Sequence, residues 1–310
     1  MGKREIPEAE RIMRRREILE GVRNLSLIMM VVFLVEFGHE YYLSAQEKAK
    51  QEALRDMVQV VEEDASSENK VQGEPTAENS EARADETVEQ AEAQGTENDS
   101  LAGEDNAQIG SGIPGENGGH AILKKYTDLY SENEDVAGWL SVEGTRIDYP
   151  VMQCEDDEFY LHHNFYGEES KYGCLYVRDR ADLADGTNFV IYGHNMKDGS
   201  MFGDLDLYGK ESFYLEHPLL SFDTLYEERT YEIVAAFPSQ VYDENAEEFK
   251  YYQFYEAETE EEFNEFYENI KALSLYDTGV SAEFGDTFLT LSTCAYHVND
   301  GRFVVVGKRR

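Results

Sequence analysis

The spacing of apolar and polar positions divides the chain into three parts. Lys3, Arg4, Arg11, Arg14, Arg15, Arg16 and Arg23 precede an apolar run, L-S-L-I-M-M-V-V-F-L-V (Leu25–Val35). A basic flank followed by an apolar helix is the pattern of an N-terminal signal anchor with its N-terminus inside. The run is about eleven residues, short of the roughly 20 that span a bilayer. Phe37, Tyr41, Tyr42 and Leu43 are expected to extend it across Glu36, with the tyrosines at the interface. Leu43-Ser44-Ala45 matches a small-x-small cleavage site only loosely, so a retained anchor is preferred to cleaved export, and both to a buried soluble helix. Residues 1–45 are therefore read as a cytoplasmic basic tail and anchor.

Residues 46–120 lose the apolar pattern. They are rich in Glu, Ala, Gln, Asn, Ser and Gly, and no aromatic residue occurs between Tyr42 and Tyr126. Such a segment buries too little to offset the entropy of ordering. It is expected to be an acidic disordered stalk, helical at first over Glu47–Glu63 and ending in the flexible G-S-G-I-P-G-E-N-G-G.

From 121 to 310 the pattern becomes that of a folded domain. Ile122, Leu123, Tyr126, Leu129 and Tyr130 fall at helical spacing. Trp139–Gln153 alternates around Gly144 and predicts two strands and a turn, with Ile147, Tyr149 and Val151 on one face. Short β-type runs follow at Gly173–Arg178 and Asn188–Gly193, and another at Glu228–Phe237, closed by Pro238. Thr259–Leu273 predicts a helix. Thr259 and Glu262 form a capping box, and Phe263, Phe266, Tyr267, Ile270 and Leu273 form one apolar face. The Tyr- and Phe-rich Phe249–Tyr255 before it is read mostly as core. Thr287–Thr293 and Arg302–Gly307 read as two adjacent strands joined by a polar turn.

Charge and cysteine content narrow the possible functions. The net charge of −38 excludes a nucleic-acid partner, because a phosphate backbone would be repelled. Three cysteines (Cys154, Cys174, Cys294) do not make a disulfide framework. Cys154 and Cys174 are read as two small buried thiols, or as a pair if the chain is exported; their spacing fits no redox motif. Adjacent His162 and His163 point in different directions and are read as packed or exposed rather than as metal ligands. Phosphate loops, serine elbows and paired-cysteine zinc spacings are absent, so no cofactor or metal is expected.

Two strand exits carry chemistry. The first apolar strand ends at Gly193, and His194 follows it. The Thr287–Thr293 strand ends on Cys294, and the next strand opens on Arg302. An imidazole can lower a thiol's pKa or take its proton, then protonate a leaving amine. A guanidinium is a permanent cation suited to an oxyanion. Spacing alone leaves a coincidence of ordinary residues open.

T-L-S-T-C (Thr290–Cys294), followed eight residues later by Arg302, together with Y-G-H-N-M (Tyr192–Met196), resembles the signature of the sortases. K-D-G-S-M-F after the histidine, the V-V-V-G ending, the helix at Thr259–Leu273, and the upstream D-Y-P-V-M-Q and F-Y-L-H-H-N-F-Y-G resemble class B in particular. The similarity covers roughly 122–310 and excludes the stalk. It implies a mainly β fold: a closed eight-stranded β-barrel with an N-terminal helix, and a long helix (about 259–273) inserted before the cysteine-bearing strand. It also implies a membrane-anchored cysteine transpeptidase of Gram-positive bacteria. Such an enzyme cuts a C-terminal sorting signal of an exported protein after its threonine. The acyl group then passes to an amine of a cell-wall precursor or a pilin lysine. On this resemblance Cys294 is the nucleophile, His194 the acid/base, Arg302 the positioning and oxyanion-stabilising cation, and Ser292 a substrate contact near the scissile bond. His297 is a rival base, set aside because it falls in the turn. Alternatives are a cysteine peptidase that hydrolyses the same signal and a non-catalytic surface module.

Overall fold

The structure is a computed structural model and describes residues 8–71, 121–243, 245–295 and 301–310. The chain divides into two compact units, Met1–Leu54 and Arg55–Arg310. Helix α1 (Glu8–Val71) supplies the described part of the first and opens the second. The apolar side chains of Leu25–Val35 are all exposed on it. A helix that shows hydrocarbon on every side is suited to an apolar medium. Among the described residues, the stretch Leu19–Gln59 is long and apolar enough to cross a membrane. Positions 47–63, expected to favour helix, lie within α1. The rest of the expected stalk, 72–120, lies outside the described residues.

The second unit carries eight strands: β1 (Val136–Ser141), β2 (Asp148–Met152), β3 (Leu175–Tyr176), β4 (Asn188–Gly193), β5 (Leu219–Thr224), β6 (Thr230–Gln240), β7 (Phe288–Ala295) and β8 (Gly301–Arg309). They close into a barrel in the order β1-β2-β3-β4-β7-β8-β6-β5. Closure gives every strand a neighbour on each side over part of its length. Two pairings are parallel, β2 with β3 and β4 with β7, and the rest are antiparallel. Short helices α2 (Thr127–Glu132), α3 (Phe159–His162) and α4 (Glu211–Glu216) decorate the barrel, and α5 (Glu260–Leu273) lies in the β6–β7 connection. The helical spacing at Ile122–Tyr130 corresponds to a 3-10 turn, Lys124–Tyr126, running into α2.

Burial on both faces explains why β7 and β8 read as continuous apolar runs rather than alternating ones. Leu289, Leu291, Phe303 and Val305 belong to the core cluster inside the barrel. Phe288, Val304 and Val306 belong to a second cluster with Phe263, Phe266 and Ile270 of α5. Phe288 stacks on Phe263, with ring centroids 5.3 Å apart. Each of these buried side chains contributes about 1.5–3 kcal/mol of gross transfer energy. Thr259 caps α5, its Oγ1 accepting from the Glu262 N–H at 3.2 Å. The other half of the expected box differs: Glu262 Oε2 accepts from the Glu258 N–H at 2.8 Å, one residue before the cap. Leu273, expected on the apolar face, is exposed at the helix end.

Pro238 does not close the sixth strand. β6 continues to Gln240, with Pro238 opposite Phe303 of β8. β5 pairs only with Thr230–Glu232, so this end of β6 has a strand on one side only. A residue without an N–H is tolerated at such an edge. Cys154 and Cys174 are both thiols, half-exposed and buried respectively. His163 is packed, its Nδ1 2.8 Å from the Phe159 carbonyl oxygen and its ring stacked on Phe159 at 4.1 Å, while His162 is exposed.

Candidate active site

Three neighbouring strands bring the candidate residues to one level of the barrel. β4 and β7 run parallel in unbroken register from Asn188↔Phe288 to Gly193↔Thr293. His194 and Cys294 are the next residues on the two chains. β7 and β8 run antiparallel, and there Cys294 pairs with Arg302. Directly opposed residues in such a pair have Cα atoms about 4.5–5.5 Å apart. By the two-residue period of a strand, positions 288, 290, 292 and 294 fall on one face of β7, and 302, 304 and 306 on one face of β8. Phe288, Val304 and Val306 identify that face as the one packed against α5, outside the barrel.

Glycine at 193 lets Leu175 and Phe202 pack tightly against the end of β4. A Cβ there would lie 2.5 Å from Leu175 Cδ2 and 2.8 Å from Phe202 Cδ2. The chain after His194 then folds back on itself. The Phe202 N–H donates to the His194 carbonyl at 2.9 Å, and Asn195 bridges to Met201. Phe202 is fully buried and anchors this loop in the barrel core.

His194 is half-buried, and its Nε2 lies 2.8 Å from the Leu161 carbonyl oxygen. A carbonyl oxygen only accepts, so Nε2 carries the proton. In the neutral ring this leaves Nδ1 with the lone pair. Leu161 lies in α3, and nothing in its residue type marks its backbone as a histidine partner. Arg302 is half-buried; its Nη1 donates to the Gly301 carbonyl at 2.9 Å, and it makes no ion pair among the described residues.

Ser292 is 1% exposed, and its Oγ is 2.8 Å from the Tyr251 hydroxyl. Tyr251 itself is 1% exposed, so the two share one buried hydrogen bond. This is the second partner that residue patterns did not disclose, since Tyr251 falls in the aromatic segment read mostly as core. Next to Ser292 in register is Tyr192. Its ring stacks on Tyr176 at 5.5 Å, and Arg178 lies over it at 5.2 Å. Burial pushes the Tyr192 phenol far above its ordinary pKa, which keeps it neutral. Cys154 is held as a thiol. Burial raises its pKa and the Asp135, Asp156 and Asp157 carboxylates add to that, against a smaller lowering by the hydrogen bond to the Asp156 backbone. His297, the rival base, lies outside the described residues.

Residues 140–310 match the family model of the sortase domain. The chain belongs to the sortase family. Its curated relatives place it in class B: it is 36% identical over 195 residues to sortase B of Listeria monocytogenes, an alignment covering 60% of this chain and 74% of that one. With sortase B of Staphylococcus aureus it is 30% identical over 190 residues, covering 60% and 75%. The solved complex of Staphylococcus aureus sortase B with substrate superposes with a TM-score of 0.55 at 29% identity, over 61% of this chain and 86% of that one. Bacillus anthracis sortase B in complex with AAEK1 gives 0.54 at 33% identity, over 61% and 85%. The matched residues, 140–310, carry all four candidate residues.

Proposed function

We propose that this class B sortase is a membrane-anchored cysteine transpeptidase. It cleaves the C-terminal sorting signal of an exported protein after a threonine and joins the new end to an amine, either of a peptidoglycan precursor or of a pilin lysine. Cys294 is the nucleophile, His194 the acid/base and Arg302 the cation at the developing oxyanion. The observation that supports this reading is the register of β4, β7 and β8: Gly193, just before His194, pairs with Thr293, just before Cys294, and Cys294 pairs with Arg302.

The reaction runs in two steps. The Cys294 thiolate attacks the threonine carbonyl, and the oxyanion that forms is held by the Arg302 guanidinium. The carbon–nitrogen bond breaks, His194 gives its proton to the departing amine, and a thioester remains on Cys294. A second amine then attacks the thioester and surrenders a proton to His194 as Cys294 leaves as thiolate. With Nε2–H held by the Leu161 carbonyl, Nδ1 is the atom that takes and returns the proton. Ser292 lies beside the nucleophile on the same face of β7 and contacts the substrate near the scissile bond, exchanging its Tyr251 partner for the peptide.

The apolar stretch of α1 holds the enzyme in the membrane as a single pass. The basic N-terminus stays in the cytoplasm by the positive-inside rule, and residues 121–310 form the extracellular catalytic domain. The acidic segment between them is the stalk. Substrate and amine donor then meet the site at the outer membrane face.

The test uses the full chain in detergent and a library of quenched peptides with threonine at one fixed position. Products are read by mass spectrometry with and without triglycine or Nα-acetyl-lysine. Amide-linked products that appear only with an added amine support transpeptidation. Hydrolysis products that no amine diverts would make the protein a peptidase instead.

A further inference from the structure

The loop that carries His194 is held at its far end by a residue from another part of the barrel. Arg146 sits in the turn between β1 and β2. Its Nε and Nη2 donate to Asp204 Oδ2 and Oδ1, each at 2.9 Å, a two-pronged pairing. Its backbone N–H also donates to Asp204 Oδ2, at 3.0 Å. The remaining guanidinium arm, Nη1, donates to the Asp198 carbonyl. The loop is shaped to receive it. Gly199 has φ +80°, and a Cβ there would lie 1.9 Å from Arg146 Nη2. Asp198 turns the chain just before, its Oδ1 accepting from the Ser200 hydroxyl at 2.6 Å and the Ser200 N–H at 3.2 Å.

A second contact from the same hairpin reaches the loop nearer its root. The Tyr149 hydroxyl of β2 accepts from the Met201 N–H at 3.3 Å. Met201 has φ 51°, an unfavourable value for a residue with a side chain. Met201 is also the bridge partner of Asn195, the residue after His194. The path from Arg146 to His194 is therefore short: Asp198–Asp204, Met201, Asn195. At the root itself, the His194 carbonyl is fixed by Phe202.

We propose that Arg146 is a positioning residue for the acyl-transfer reaction. Its clamp on Asp204 and Asp198 fixes the 195–204 loop, and so fixes where the His194 imidazole stands against Cys294. This rests on the reading of His194 as the acid/base. Arg146 touches no reacting atom. Its side chain is 62% exposed, so the pair itself adds little stability. Its effect is geometric, because a catalytic group displaced by about 1 Å can lose roughly 100-fold in rate.

The experiment measures kcat, KM and thermal unfolding on the full chain in detergent, using the best threonine peptide from the library. The variants are Arg146→Ala, Arg146→Lys, Asp204→Asn, the Arg146→Ala/Asp204→Asn double and His194→Ala. Lys271→Ala, which breaks the Lys271–Asp277 pair at the end of α5, is the control. Arg146→Ala is expected to lower kcat roughly 10- to 100-fold with KM and Tm unchanged. Arg146→Lys should not rescue, since one ammonium cannot make the two-pronged contact. The double variant should be no worse than either single one, and Lys271→Ala should match wild type. In histidine-15N spectra, assigned with His194→Ala, the His194 signals should broaden or split in Arg146→Ala. Wild-type kcat in Arg146→Ala, or a kcat loss that only follows a fall in Tm, overturns the clamp if His194→Ala is inactive. Full activity in His194→Ala would instead overturn the acid/base reading beneath it.

Discussion

Cys294 and Arg302 stand directly opposite each other across the β7–β8 pair. This register sets the two backbone positions side by side at the end of the barrel strands. A lysine there would keep the charge but lose the planar fork that can hold an oxyanion and a neighbouring carbonyl together. Arg302→Lys is predicted to lower kcat/KM by roughly 100-fold or more, in line with the loss of one oxyanion donor. Its Tm should be unchanged, because Arg302 makes no ion pair among the described residues. Steady-state kinetics with the library peptide checks this, and near-wild-type turnover would remove Arg302 from the mechanism.

Ser292 and Tyr251 share a hydrogen bond between two side chains that are each 1% exposed. Removing one partner leaves the other hydroxyl buried and unpaired, at a cost of about 1–3 kcal/mol. Tyr251→Phe and Ser292→Ala should each lower stability by that order. The double variant should lose less than the sum. Denaturant unfolding of the four proteins reads the coupling directly, and strict additivity would show that the pair contributes nothing.

The Leu161 carbonyl fixes the tautomer of His194. The 15N spectrum of the neutral ring is predicted to show Nε2 protonated and Nδ1 bare. A neutral ring protonated on Nδ1 would rule out the proton path through Nδ1.

Much of this was legible in the residues, for identifiable reasons. β4, β7 and β8 are buried on both faces, and that leaves dense β-branched runs that end visibly at Gly193, Cys294 and Arg302. The helix α5 announces itself through Thr259, its acidic first turn and the Phe263–Phe266–Ile270 face. One misread feature was Pro238, since a proline ends a central strand but not one with a bare side, and bareness depends on how far β5 extends. The long-range contacts of the candidate residues and of the Arg146 clamp were not legible. Leu161 reaches His194 across 33 positions through a backbone carbonyl, which any residue type would supply. Tyr251 reaches Ser292 across 41, from a segment whose aromatic content reads equally well as core. Arg146 reaches Asp204 across 58, and a charged residue in a turn gives no hint of a partner that distant.

The most direct test of the two-step reaction is the intact mass of the enzyme during turnover. The full chain in detergent is mixed with the threonine peptide, quenched in acid after a short interval and weighed. The account predicts a mass gain equal to the N-terminal peptide fragment, mapped by digestion to Cys294, discharged by an added amine and absent in Cys294→Ala. Acylation of Cys154 or Cys174 instead, or undiminished cleavage by Cys294→Ala, would contradict it.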